Sequence, residues 1–158
     1  MSAFVQSFRR QAEHLLAQHP GIPHTWTESS GDWVHLEILP DGPNGFIVHV
    51  NVGPEYALVI ASRTLSREFR VASSAEEHRA EERACEIVAF LSALLSPATL
   101  VRERRAGRAT YLWTLEREAP ERWQRVAAWR SVLPWRYVGR RCEVVYQNQY
   151  IRSPQPAG

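Results

Sequence analysis

Trp33-Val34-His35-Leu36-Glu37-Ile38 and Phe46-Ile47-Val48-His49-Val50-Asn51-Val52 decide the fold class, because in both runs apolar residues return at every second position. A period of two sends successive side chains to opposite faces of a strand, so each run buries one face and shows the other. Between them, Asp41-Gly42-Pro43-Asn44-Gly45 is turn chemistry, and a connection that short joins antiparallel neighbours. Matching the two apolar sets places Leu36 near Val48 and Val34 near Val50, since register follows the buried face. The same register sets His35 opposite His49 and Glu37 opposite Ile47 on the second face, which also carries Trp33, Asn51, Ala57, Val59 and Ala61.

Further strands extend this pair in both directions. Residues 25–28 precede it across the hairpin turn Ser29-Ser30-Gly31-Asp32; Gly53-Pro54-Glu55 leads into 56–61, and 64–71 closes an antiparallel meander. Ahead of the meander, Phe4, Phe8, Ala12, Leu15 and Leu16 recur at helical spacing and stop before Pro20, Gly21 and Pro23. Behind it, Ser74-Ala75-Glu76-Glu77 is a capping box. It opens a long helix whose core stripe is Ala80, Ala84, Ile87, Val88, Leu91, Leu94 and Leu95, and Ser96-Pro97 ends it. A hairpin follows, with arms 99–105 and 108–116 around Ala106-Gly107. Its first arm, with Arg102, Glu103, Arg104 and Arg105, reads as a solvated edge strand. Pro120 reads as the first position of a short helix carrying Trp123, Val126, Ala127 and Arg130 on one side. A last strand is predicted over 137–146. The expected whole is one α+β domain over 1–152 with a flexible tail at 153–158.

The 158 residues suit one self-sufficient core, and 44% hydrophobic with 23% charged residues is an ordinary globular balance. All 19 basic residues are arginine, but a net charge of +2 does not suit a dedicated nucleic-acid binder. Two cysteines, Cys85 and Cys142, fit a reducing compartment, with Cys85 expected to be buried beside the core stripe. No apolar run suits a leader or a membrane span, so the expected location is the cytoplasm, without a membrane partner.

Walker, dinucleotide, nucleophile-elbow and zinc-ribbon motifs are all missing, which lowers the prior for an enzyme; no cofactor is expected and no catalytic residue can be named. Two constellations stand out. Trp113, Trp123, Trp129 and Trp135 fall in one stretch with Arg125 and Arg130, the residue types of interface hot spots. They form either a protein-binding surface or packing between sheet and helices; base stacking is a weaker third reading. His35 and His49, aided by Glu37, form either a metal site or a half-covered sheet face. The arginine-rich hairpin, Arg102 to Arg108, is a further and less favoured place for nucleic acid.

The order of elements over 4–18, 25–71, 74–95, 99–116 and 120–130 resembles the small bacterial secretion chaperones and their α/β relatives. That resemblance implies a protein-binding module, often a homodimer, whose partner is an effector, a toxin or a secretion substrate. A chaperone, an adaptor and a toxin-neutralising immunity protein all fit it.

Overall fold

The period-two runs form a five-stranded antiparallel meander in chain order: β1 (His24–Ser29), β2 (Trp33–Ile38), β3 (Val48–Val52), β4 (Tyr56–Ala61) and β5 (Leu65–Arg70). The structure, a computed structural model, describes residues 1–29, 31–62, 65–70, 77–120, 122–131 and 139–151. Trp135, the capping residues Ser74, Ala75 and Glu76, and the tail lie outside the described residues.

Val34, Leu36 and Ile38 face Val52, Val50 and Val48, and all six are buried. The register is two residues away from the predicted one. His35 lies opposite Asn51, and Glu37 opposite His49. A slip of two keeps every side chain on its expected face, so the hydrophobic pattern is blind to it. The cause is tertiary. The Asn148 side chain takes both backbone groups of Phe46, at 3.0 and 2.9 Å, and the ladder begins only at Val48. Ala57, Val59 and Ala61 also depart from expectation. They are buried opposite Val52, Val50 and Val48, because the turn closes from Gly53 N–H to Tyr56 O (2.9 Å) and leaves Leu58 and Ile60 facing outward.

Two helices cover the buried face: α1 (Ala3–Gln18) and α2 (Glu77–Leu94). Ser2 caps α1 by accepting the Val5 N–H at 3.3 Å. Phe4, Phe8, Ala12 and Leu16 from α1 meet Ala84, Ile87, Leu91 and Leu94 from α2 in one apolar cluster with the sheet valines. Each large side chain buried there stabilises the fold by about 2 kcal/mol. No helix among the described residues is long and apolar enough to cross a membrane.

A second sheet has the order β8-β7-β6-β9, with β6 (Thr99–Ala106), β7 (Ala109–Ala119), β8 (Arg122–Arg130) and β9 (Arg141–Tyr146). Val101 and Leu115 join it to the common core. The β6–β7 hairpin forms as predicted, with Gly107 supplying a left-handed φ of 60° at the tip. Two expectations are corrected. The predicted helix after Pro120 is strand β8, which pairs with β7 from Leu112↔Arg130 to Ala119↔Arg122. A register shift between Leu115 and Glu116 interrupts the ladder, so the apolar residues of β8 lose strict alternation and mimic a helical spacing. The predicted edge strand, β6, is interior, because β9 pairs with its other side.

Candidate functional site

β8 closes one edge of the second sheet, and among the described residues it pairs only with β7. Trp123 (37% exposed), Val126 and Trp129 (39%) are its exposed large hydrophobics. Arg122, Arg125 and Arg130 are exposed too, and no Asp or Glu occurs within the strand. The register shift divides the aromatic residues. Trp129 lies opposite Trp113 on the inward face, whereas Trp123 and Arg125 lie opposite Glu118 and Glu116 on the outward face. Trp113 is half-buried and stacks on Tyr146, with centroids 6.0 Å apart at 24°. The predicted tryptophan set is therefore part packing, at Trp113, and part open surface, at Trp123 and Trp129. Where β8 passes β5, a cavity of about 340 Å³ is lined by Leu65, Arg67, Phe90, Leu115, Val126 and Ala127.

The histidine pair sits on the outward face of the first sheet. Glu37 and His49 are direct cross-strand partners, and His35 is their diagonal neighbour. The imidazoles stack with centroids 5.5 Å apart at 23°. His35 Nδ1 is bonded to Asn51 Oδ1 at 2.6 Å. Glu37 Oε2 lies 4.0 Å from His35 Nε2 and 3.9 Å from His49 Nδ1.

A third constellation was not anticipated. Glu103 is 2% exposed and accepts hydrogen bonds from Arg105 Nη2 (2.5 Å), Tyr146 OH (2.8 Å) and Thr110 Oγ1. Burial pushes its pKa up, but these three donors outweigh it and hold the carboxyl below its ordinary value. Burial, and then donation to Glu103, raises the Tyr146 phenol. Glu103, Arg105, Arg108, Thr110, Trp113 and Tyr146 wall one side of a cleft of about 750 Å³; Phe46 and Ile47 wall the other. A signal for it existed. Glu103 is in step with Thr99 and Val101, the inward-facing set of β6.

Arg102 and Arg104 of the hairpin are also committed. Arg102 binds both oxygens of Glu116 at 3.2 Å and also contacts Glu143, and Arg104 reaches Glu143 at 3.1 Å. The hydrogen bonds to Glu116 raise the Arg102 pKa despite partial burial. Cys85, expected inside, is exposed, as is Cys142; the helix turns Cys85 one position away from the buried Ala84.

No protein-family model, curated protein or solved structure matches this chain. The secretion-chaperone resemblance therefore rests on element order alone, and its last element is a strand here.

Proposed function

We propose that this chain is a non-catalytic protein-binding domain, of the chaperone, adaptor or immunity type, that captures an acidic extended segment of another protein along β8. The observation that carries this reading is the strand itself: nine residues at a sheet edge, with two exposed tryptophans, three arginines and no acid. An edge strand offers a row of backbone donors and acceptors, and an incoming strand completes the ladder. Tryptophan and arginine are the side chains that most often anchor interfaces. Like-charge repulsion selects against basic partners.

The test is affinity capture from host lysate, followed by reconstitution with the purified partner. Trp123→Ala/Trp129→Ala should weaken the reconstituted complex by about 30-fold or more, in keeping with hot-spot losses near 2 kcal/mol. Arg125→Glu should weaken it further at low salt, while circular dichroism stays unchanged. Equal affinity for parent and double variant overturns the proposal. So does a homodimer that these substitutions dissociate, which would make a second copy the occupant. Displacement of the partner by single-stranded oligonucleotide, steeply salt-dependent, would reassign the strand to nucleic acid.

A further inference from the structure

We infer that His35, Glu37 and His49 form a binding site for one divalent transition-metal ion, with Zn²⁺ the best match. This inference is independent of the β8 reading, since β2 and β3 belong to the other sheet. Three ligand atoms of suitable kind, two imidazole nitrogens and one carboxylate oxygen, all lie within 4.8 Å of one another. Ligands bound at about 2.0–2.2 Å to zinc stand about 3.0–3.5 Å apart, so closure requires small torsional changes only. The side chains have that freedom, being 28–37% exposed. Their Cα positions do not wander, because both strands are interior to the meander, flanked by β1 and β4.

Three features favour an ion over a simple ion-pair cluster. First, the separations of 3.9 and 4.0 Å are too long for hydrogen bonds between Glu37 and either ring. One carboxylate oxygen thus lies nearly equidistant from a nitrogen of each imidazole without hydrogen-bonding to either. Second, Asn51 Oδ1 can only accept, so the 2.6 Å contact engages His35 Nδ1 as donor, and in the neutral ring the ligating lone pair is then that of Nε2, on the side of Glu37. Metal-bound histidines characteristically have such an outer partner, which fixes tautomer and ring orientation. Third, on the face that alternation gives all three, the register makes Glu37 and His49 direct cross-strand neighbours, with Thr25 and Thr27 alongside. Two imidazoles and one carboxylate suit Zn²⁺, Fe²⁺, Co²⁺ or Ni²⁺; Mg²⁺ and Ca²⁺ prefer oxygen alone, and Cu⁺ prefers sulfur. Partial exposure leaves the remaining coordination positions to water or to an incoming ligand.

The experiment uses the untagged full chain, stripped with chelator, then titrated with Zn²⁺ by calorimetry and with Co²⁺ by visible absorption. One saturable equivalent is expected, with a rise in melting temperature as Zn²⁺ exceeds its dissociation constant. His49→Ala and Glu37→Gln should each weaken binding by about 100-fold, and Asn51→Ala by about 10-fold. His78→Ala removes half of the exposed His78–Glu82 pair on α2 and should change nothing. Paramagnetic Co²⁺ in the parent should perturb the His35 and His49 ring resonances, a readout that does not depend on any variant folding. Unchanged affinity in His49→Ala or Glu37→Gln overturns the assignment, as does the absence of a saturable equivalent or a perturbation centred on His78.

Discussion

At the scale of single residues, Glu103 is the most consequential side chain that charge patterning misassigned. A carboxylate within Arg102-Glu103-Arg104-Arg105 reads as solvated, yet β9 closes over it and Tyr146 and Arg105 bind it. Its folded pKa lies below the ordinary value of 4.5. Its stabilisation is therefore complete above that pH and is lost as pH falls through the lower folded value. Glu103→Gln should cost about 2 kcal/mol at pH 7, less than a fully buried pair because Arg105 is 38% exposed. Urea denaturation of parent and variant should show that difference shrinking below about pH 4.5. A difference that is constant with pH would mean that Glu103 is not titrating between the two states. The histidine face behaved oppositely. Which side His35, Glu37 and His49 occupy was legible, because alternation alone fixes it.

At the scale of elements, the meander and both helices follow from periodicity, whereas β8 does not. Its interrupted alternation and leading Pro120 carry helix signals, and pairing with β7 overrides them. The β3–β4 turn shows the reverse, a local requirement hidden in an ordinary-looking glycine. A Cβ on Gly53 would lie 2.5 Å from Trp33 Cζ2 and 2.6 Å from Cε2. The Trp33 ring is itself packed edge-on against Tyr56, with centroids 4.9 Å apart. Gly53→Ala should thus destabilise by about 1–3 kcal/mol through overpacking, visible as a lower urea midpoint at unchanged slope. A midpoint equal to that of the parent would show that Trp33 can move aside without cost.

At the scale of the whole molecule, the segment after β9 fastens the second sheet to the first. Gln147 N–H donates to Asn44 O (2.7 Å), Gln149 N–H to Asp41 Oδ2 (2.6 Å), Tyr150 OH to Leu39 O (3.0 Å) and Ile151 N–H to Leu95 O (3.0 Å). At its centre Asn148, fully buried, serves Phe46 on both backbone groups and Leu94 O at 3.4 Å. Asn148→Leu fills the same space but leaves those buried groups without their side-chain partner, at a cost of about 3 kcal/mol. Fluorescence and circular dichroism should report the same lowered denaturation midpoint, since the segment touches both sheets and the end of α2. Stability equal to the parent would mean that water replaces Asn148 in this clasp.

The sequence by itself determined the α+β class, the meander, the two amphipathic helices and the side of the sheet on which the histidines stand. These are local properties: a side-chain period of two or 3.6, a cap, a turn residue. Tertiary structure alone decided the rest. The β2–β3 register depends on Asn148, which lies 102 residues from Phe46. β8 is a strand because β7 presents it with unpaired backbone groups, and Glu103 is buried because β9 arrives beside β6. In each case a distant segment competes for hydrogen bonds that the local pattern leaves open, and no period in the chain records which segment wins.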